Sequence, residues 1–502
     1  MSAPGLGSLT GRISRAPATL VDEEVLRPQF DHDVTHLLPF HLRIEKALLA
    51  EYARMRVLDQ DEVRAVAAAL HAVDAGTLTP DPEGNLSDLS FAVEKAVAGN
   101  LAVPVPAWRV DRSRNDFQAC AQLQLGLALT ADVAMEILAC AAALHEPAVR
   151  YLCDPMPGCT HLQAAQVITP AFFLTAVREH LLHTADRLLA GYDGWNASPL
   201  GAGAMSGQRL PWDRHRLARL LAFDRAERHA LSSVASRSWL LELAAELATF
   251  GVGMSRFLTD LMNWAGGEYA YVELPDELAG ISSAMPQKKN YPILERLRGK
   301  STHALAWYVD VAATQRATSF SNSVEVSKES SAQLVDQLMG LRTMLRLTTT
   351  VFGALTFRVD RLRERCEQAH LGAFSLANEL TLADGVPWRE AQVIAGRYIM
   401  AERGGPEPET LRRVGTDAGY ALERTPERLA HVMSVDGELR SRATTGSAAP
   451  SETVALLDEQ ATRIDTLTAD WRRRRRAPLD AARHVDALLG LPHSSVSDRE
   501  PA

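Results

Sequence analysis

Residues 118–152 read QACAQLQLGLALTADVAMEILACAAALHEPAVRYL, and this stretch decides the fold class. Its apolar residues are nearly continuous from Leu123 to Leu144, and Ala and Leu dominate, which favours a helix over a strand. A surface helix would show a polar face, so the pattern predicts one long helix that is buried on more than one side. Asp116 lies just before it and is the predicted N-cap.

Four further segments share this helical composition, in which Ala, Leu, Glu and Arg are abundant. They are Ala165–Leu189, Leu240–Trp264, Ser301–Thr318 and Val324–Val351. Several helices of this length, close together in sequence, predict an all-α protein with a central bundle of antiparallel helices.

Turn-rich segments at Gly99–Trp108 and Thr356–Asp360 divide the chain into regions. We expect an N-terminal helical domain over residues 1–108 and a central helical bundle domain over residues 109–360. A C-terminal helical domain is expected over residues 361–485. Residues 486–502 are predicted to be a disordered tail, because the end of the chain is rich in Ser and other polar residues.

Composition limits the possible functions. The 502-residue chain is 46% hydrophobic and 23% charged, which is typical of a globular soluble protein. Its formal net charge of −9 argues against a general nucleic-acid binder. The N-terminal residues 1–20 show no secretory signal, and the longest apolar run, Ile137–Leu144, is too short to cross a membrane. Five cysteines without metal-type spacing indicate a cytoplasmic protein with neither a disulfide framework nor a metal site.

Five consecutive arginines, Arg472–Arg476, allow two interpretations. They form a patch for nucleic acid or membrane, or they are the solvated end of a helix, where cations suit the helix dipole. The acidic balance of the whole chain favours the second interpretation.

The segment Gly280–Asn290, GISSAMPQKKN, carries the most chemistry. Removal of a proton next to a carboxylate requires a positioned base and cations that hold the developing charge. Ser282 supplies an oxygen for the base, Lys288 supplies a cation and Asn290 supplies amide donors. Gly280 gives the backbone the freedom of a mobile lid. By itself the segment is also compatible with an ordinary surface loop.

Several motifs in the chain together resemble those of the fumarase/aspartase superfamily, and in particular its argininosuccinate lyase branch. The resemblance covers most of the chain and implies the fold of that superfamily, with three helical domains around a central long-helix bundle. The motifs that carry it are MPQKKN at 285–290, RSRND at 112–116, THLQ at 160–163, PLGAGA at 199–204 and GVPWREA at 385–391.

The resemblance implies an elimination that breaks a C–N bond and releases fumarate. Ser282 is then the general base, and His161 the general acid toward the leaving nitrogen. Glu295 is the carboxylate partner of His161, while Lys288 and Asn290 hold the substrate carboxylate. The implied substrate-binding residues are Arg112, Ser113, Arg114, Asn115, Thr160, Gln163, Ser283, Phe320, Glu325 and Lys328.

Simpler interpretations compete for some of these residues. His161 alone would suit a hydrogen-bonded core histidine. Arg112 and Arg114 would suit salt bridges to the acids of their own motif, and Glu295 would suit a pair with a nearby surface arginine.

The chain departs from the pattern of this branch at several positions. The replacements are Ser90 for a histidine, Cys159 for a tyrosine, Ile281 for a glycine, Ser236 and Ser238 for the aspartates around an arginine, Phe320 for a tyrosine and Glu325 for a glutamine. Ile281 should stiffen the serine loop. Glu325 either pairs with Lys328 or meets a cationic amine.

The succinyl half of the pocket is therefore predicted to be kept and the amine half to be changed. We expect a fumarate-releasing lyase whose substrate is an N-substituted aspartate with an amine other than arginine. The alternatives are an ordinary argininosuccinate lyase of arginine biosynthesis and a catalytically retired structural homologue. The resemblance also implies a homotetramer with active sites shared between subunits. No metal or organic cofactor is expected.

Overall fold

The computed structural model describes residues 12, 13, 15–402 and 405–492. Its N-terminal region is helical, with short turns between the helices. The helices are α1 (Thr19–Val21), which continues as a π-helical turn (Asp22–Leu26), α2 (Arg27–His36), α3 (Leu38–Met55), α4 (Gln60–His71) and α5 (Leu89–Asn100), with a 3₁₀ turn at Ala75–Thr77.

The central region consists of long helices that share one continuous hydrophobic core with α3 to α5. The helices are α6 (Arg114–Ala143), α7 (His145–Arg150), α8 (Pro170–Trp195), α9 (Arg214–Leu220), α10 (Ala230–Ala235), α11 (Ser238–Ala265), α12 (Pro292–Gln315), α13 (Val324–Ser327) and α14 (Leu334–Ala354). Two 3₁₀ turns, Asp276–Leu278 and Glu329–Ser331, lie between them. The prediction of an all-α fold with a central bundle is confirmed.

Strands occur only as short pairs in the described residues. They are β1 (Met156–Thr160), β2 (Gln163–Ile168), β3 (Ala197–Ser198), β4 (Arg225–Ala226), β5 (Val272–Glu273), β6 (Gly280–Ile281), β7 (Lys289–Asn290) and β8 (Thr356–Phe357). The pairs β1–β2, β5–β8 and β6–β7 are antiparallel, and β3–β4 is parallel.

Helix α6 differs at both ends from the prediction over residues 118–152. It begins at Arg114 because the Ser113 side chain accepts a hydrogen bond from the Asn115 N–H and so is the N-cap. Asp116 is therefore not the cap; it lies in the first turn and is buried. The helix ends at Ala143 and is followed by the short α7. As predicted, buried residues lie on all sides of α6.

Two other predicted helices are wrong in part. The segment expected from Ala165 is strand β2 at first, and α8 starts only at Pro170, where Thr169 caps it and the missing proline N–H costs nothing. The segment Val324–Val351 is broken into α13, a 3₁₀ turn and α14. The predicted helix Leu240–Trp264 is confirmed as α11, and the helix over Ser301–Thr318 begins nine residues earlier, at Pro292.

The long helices give the bundle two distinct ends. The start of α8 lies beside the end of α6, where Arg178 donates to the Ala141 carbonyl at 3.0 Å. Phe173 also stacks edge-on against Trp264 at 4.7 Å, so α11 ends there as well. The α6 helix has 30 residues, and at 1.5 Å per residue its two ends are about 45 Å apart.

The C-terminal region contains a separate hydrophobic cluster formed by residues between Leu376 and Val432. Its helices are α15 (Val359–Gln368), α16 (Ala373–Asp384), α17 (Trp388–Ala401), α18 (Pro408–Asp417), α19 (Pro426–Met433), α20 (Val435–Arg440) and α21 (Pro450–Leu488). The domain boundaries drawn from the sequence stay predictions, and α21 packs back against α6 and α8.

Helix α21 corrects two expectations. It continues through residues 486–488, which were predicted to be disordered, because the buried Asp486 pairs with Lys46 at 2.6 Å. The tail from residue 493 lies outside the described residues. The arginine run is not a helix end, since it lies in the middle of α21, where Arg474 pairs with Asp193 at 2.7 Å and Arg475 with Asp132 at 3.0 Å.

One segment, Arg114–Arg150, is long and apolar enough to cross a membrane by length and composition alone. Within this protein, 67% of its most apolar window is buried, as in the core helix of a bundle.

Candidate active site

The serine loop is the tip of a small hairpin. Strands β6 and β7 pair Gly280 with Asn290 and Ile281 with Lys289, so residues 282–288 form the connecting loop. The Ser282 hydroxyl accepts a hydrogen bond from the Met285 N–H at 3.1 Å, which fixes a tight turn. Ile281 points into solvent with 94% of its surface exposed. The Ser282 hydroxyl therefore lies on an exposed, turn-stabilised loop.

The role of Gly280 differs from the predicted one. A Cβ atom there would lie 2.9 Å from Cγ of Pro292, so the residue is small because the start of α12 approaches closely. The φ angle of Gly280 is not in the left-handed region, so backbone freedom does not explain the glycine at this position.

The two lysines of the loop have different environments. Lys289 pairs with Asp276 at 2.8 Å and with Glu273 at 3.6 Å. Lys288 is exposed, and in the described part of the chain no carboxylate forms an ion pair with it. Asn290 is half-buried on β7. Lys288 thus keeps its charge available for an anionic ligand.

His161 lies in the tight turn of the β1–β2 hairpin. Thr160 pairs with Gln163 across the strands, and His161 and Leu162 form the turn with φ of 54° and 62°. All four residues are exposed. This position rules out the interpretation of His161 as a core histidine, and the left-handed backbone at two non-glycine residues is a strained geometry typical of functional turns.

Glu295 lies in the first turn of α12 and is exposed. Among the described residues, no hydrogen bond or ion pair joins it to His161 or to Arg296 or Arg298. The role of Glu295 as a partner of His161 stays a prediction.

Arg112 and Glu45 form a buried pair that the sequence did not predict. The two guanidinium nitrogens of Arg112 donate to the two carboxylate oxygens of Glu45 at 2.8 and 2.7 Å. Burial disfavours the charged form of both residues, but the attraction between the two opposite charges is stronger. The pKa of Glu45 is therefore lowered and the pKa of Arg112 is raised. Only 6% of the Arg112 side chain is exposed. Arg112 therefore supports the start of α6 structurally, through its buried pair with Glu45.

Asp116 and Asn115 of this motif hold a second loop, residues 199–204. Asp116 accepts hydrogen bonds from the N–H groups of Gly201 and Gly203, both at 3.0 Å, and the Asn115 amide donates to the Ala204 carbonyl at 3.1 Å. Burial raises the pKa of Asp116 to about 6, against the lowering effect of those N–H groups. The segments 112–116 and 199–204 are therefore one structural unit.

Arg114 points outward from the start of α6. It pairs with Asp88 at 3.0 Å and lies over the Phe91 ring at 4.7 Å. More than half of its side chain, 54%, is exposed. The competing interpretation, salt bridges of Arg112 and Arg114 to Asp111 or Asp116, is wrong, because their acidic partners are Glu45 of α3 and Asp88, the N-cap of α5.

The amine-side segment, residues 320–329, lies next to the start of α6, where Gln118 and Gln122 contact the Ser327 carbonyl. Phe320 is 62% exposed. Lys328 pairs with Asp33 of α2 at 2.9 Å, so the suggested pair between Lys328 and Glu325 is wrong. Glu325 is exposed, and hydrogen bonding to its carboxylate lowers its pKa.

Sequence reasoning missed Glu45 and Asp33. The available signal was a charged residue inside an apolar helical stretch, which requires a partner when buried. Glu45 lies in such a stretch of α3 and Asp33 at the end of α2. The sequence did not show which cation each would meet.

The predicted residues fall into two groups at opposite ends of the bundle. The Asn115 end contains residues 112–116 and the amine-side segment, and the Ser282 end contains the hairpins of His161 and Ser282. One chain does not join the two groups, since α6 separates them by about 45 Å.

Comparison with known proteins identifies this arrangement. A family profile described as Lyase matches residues 47–305. The argininosuccinate lyase of Frankia casuarinae is 32% identical over 450 residues, which cover 88% of this chain and 94% of that protein. The argininosuccinate lyase of Thermus thermophilus is 35% identical over 356 residues, or 68% of this chain and 75% of that protein.

Solved structures share the fold. EDDS lyase in complex with formate superposes with a TM-score of 0.83 at 23% identity, covering 96% of this chain and 97% of the other. The class II fumarase of Schistosoma mansoni superposes with a TM-score of 0.65 at 15% identity, covering 81% and 94%. The chain therefore belongs to the argininosuccinate lyase branch of the fumarase/aspartase superfamily, and it is a carbon–nitrogen lyase.

Proposed function

We propose that the protein catalyses β-elimination of an N-substituted aspartate and releases fumarate and an amine other than arginine. Ser282, as its alkoxide, removes the Cβ proton, and the electron pair of that C–H bond forms the double bond of fumarate as the C–N bond breaks. His161 supplies the proton that the leaving nitrogen takes up, directly or through a shuttle. Lys288 and Asn290 hold the carboxylate on which charge accumulates.

The observation that carries the proposal is the contrast between the two halves of the pocket. The branch motifs are matched by residues that are exposed or partly exposed: Ser113, Arg114, Asn115, Thr160 and Gln163. On the amine side, Phe320 presents a ring without a hydroxyl. A site that lacks the polar partners of a substrate group rejects that group strongly.

The same segment has also gained a negative charge at Glu325 and has its one retained lysine paired with Asp33. Both changes alter the charge that the polar amino-acid end of arginine would meet. They support a change of amine rather than a loss of the reaction, because Ser282, His161 and Lys288 are all present.

A likeness of fold supports the fumarate half of the proposal. EDDS lyase has also been solved as a variant with bound fumarate, and that structure superposes with a TM-score of 0.83 over 96% of this chain. The likeness concerns the backbone alone, so the residues of this chain carry the chemical argument.

We further propose that the sites are completed between subunits of a homotetramer. The two groups of residues lie at opposite ends of one chain, and a reaction needs its acid, base and binding groups within a few ångströms. The α11–α12 pair also exposes large apolar side chains along its length, Val252 at 49%, Leu305 at 46% and Val309 at 57%. Such a surface suits association with another copy.

Ordinary argininosuccinate lyase activity is the second candidate, because the relatives of 30–35% identity carry that name. The test is to incubate purified protein separately with argininosuccinate and with the aspartate adducts of methylamine, benzylamine and ethylenediamine. Fumarate release is measured by ultraviolet absorbance. We expect release from at least one amine adduct and little from argininosuccinate. Rapid turnover of argininosuccinate would refute the altered amine side.

A Ser282→Ala variant separates a working lyase from a retired homologue. The serine is half-buried on an exposed loop, so its replacement by alanine should leave folding intact and remove nearly all fumarate release. Equal activity of the variant and the wild type would eliminate Ser282 as the base.

A further inference from the structure

Arg237 is a buried cation without an acidic partner. It lies just before α11 with 2% of its surface exposed. Its guanidinium donates to the carbonyls of Val234 at 3.1 Å and Ser236 at 2.9 Å and to the side-chain oxygen of Gln122 at 3.3 Å. Within the described residues no carboxylate pairs with it. A buried charge held only by neutral oxygens depends on each of those acceptors.

This arrangement fixes the orientation of Gln122, which is 5% exposed. A guanidinium can only donate, so the amide oxygen of Gln122 must face Arg237 and the amide nitrogen must face away. That nitrogen donates to the Ser327 carbonyl at 2.5 Å and reaches the Ser331 hydroxyl at 3.4 Å. Arg237 thus orients Gln122 so that its amide nitrogen, a hydrogen-bond donor, faces the amine-side segment.

The segment that receives this bond has little intrinsic order. Helix α13 contains only four residues, Val324–Ser327, and is too short to be stable alone. Lys328 follows with a non-helical backbone and pairs with Asp33 at 2.9 Å. Gln122, Lys328 and Asp33 together line a cavity of about 340 Å³, within the size range of small-molecule sites.

We infer that Arg237 is a positioning residue for the amine side of the site: through Gln122 it holds the Ser327 carbonyl, and with it Lys328, at the wall of this cavity. The inference rests on the proposed function, which assigns residues 320–329 to the leaving amine. It adds that selectivity for the amine depends on Arg237, which is not among the residues lining this cavity and acts through Gln122.

Gln122→Glu separates this role from general stability. The glutamate keeps an acceptor for Arg237 and gives the buried guanidinium a charged partner, so the variant should still fold. Its second oxygen faces the Ser327 carbonyl, where two acceptors repel. Gln124→Glu is the matched control, since Gln124 lies on the same helix with 8% exposure and contacts Cys120 rather than Ser327.

Hydrogen–deuterium exchange of the full chain tests the inference without any substrate. We expect the amides of Ser327 and Lys328 to exchange about tenfold faster in Gln122→Glu, because the segment loses one hydrogen bond. The exchange rates of the α8 amides should stay unchanged. Gln124→Glu should leave these amides as in the wild type. Unchanged exchange in Gln122→Glu would overturn the inference, whatever the activity of the enzyme.

Steady-state kinetics test the proposed effect of Arg237 and Gln122 on amine binding. The substrate is the amine adduct that the wild type cleaves fastest. Gln122→Glu and Arg237→Met should raise KM several-fold more than they lower kcat, and Arg237→Lys should restore part of the loss. Equal losses of kcat with unchanged KM would overturn the role in amine binding. If the wild type releases fumarate from none of the adducts, the proposed function fails, while the exchange result still decides the role of Arg237.

Discussion

Two inactive variants should restore each other's activity when they assemble together. Asn115 lies in the first turn of α6 and Ser282 lies beyond the far end of the bundle, about 45 Å away along that helix. Under the proposed sharing of sites between subunits, a complete site takes the two residues from different chains. Ser282→Ala and Asn115→Ala each remove one group from every site of a pure assembly, but a mixed assembly rebuilds some sites.

The magnitude follows from random mixing. At a 1:1 ratio each of the two contributing chains carries the needed side chain half of the time, so at most about one quarter of the sites are intact. The variants are unfolded together in urea, refolded and assayed for fumarate release from the fastest amine adduct. We expect up to about a quarter of the activity of wild-type protein refolded in the same way.

Refolding Ser282→Ala with Ser282→Gly is the matched control, because both chains lack the same group and no site can be rebuilt. The reasoning is refuted if mixed Ser282→Ala and Asn115→Ala assemblies stay as inactive as each variant alone while refolded wild type recovers. That result would mean that one chain supplies both groups or that one of them is not needed.

Three further predictions concern stability and are measured by urea unfolding. Glu45→Ala leaves the buried Arg112 charge unpaired and should destabilise the fold by about 3–5 kcal/mol. Gly126→Ala places a Cβ atom 2.3 Å from the Trp239 ring and should lower the free energy of unfolding by about 1–3 kcal/mol. This loss exceeds the stabilisation from the higher helix propensity of alanine. Asp116 has a folded pKa near 6, above its ordinary 3.8, so its contribution to stability is complete below pH 4 and is lost as pH rises through 6. Asp116→Asn lacks this loss, so its stability relative to wild type should improve by up to about 3 kcal/mol between pH 4 and pH 8.

Each of these has a control or an opposing outcome. Glu246→Ala breaks the exposed Arg187–Glu246 pair and should change stability little, so an equal loss at Glu45 would contradict the role of burial. An unchanged unfolding midpoint for Gly126→Ala would show that the Trp239 ring moves freely. A pH-independent difference for Asp116→Asn would mean that the carboxyl does not titrate in this range.

Local signals in the sequence predicted much of the fold. The α11 helix was placed almost to the residue, and the apolar α6 was recognised as a core element, because periodicity and composition act within one element. The start of α6 was misplaced because Ser113 and Asp116 are both good caps. The carboxylate of Asp116 is instead taken by the Gly201 and Gly203 N–H groups, a contact across 85 and 87 residues.

The chemical identity of the candidate site came from the sequence by itself, because motif residues such as Ser282 and His161 lie in short loops whose local order carries the resemblance. The partners of the charged residues came only from the tertiary structure. Arg112 meets Glu45 across 67 residues and Lys328 meets Asp33 across 295, and such pairings depend on how helices pack. The separation of the two groups of site residues is also decided by the tertiary structure, because the long helix α6 holds the motifs at its two ends apart in space.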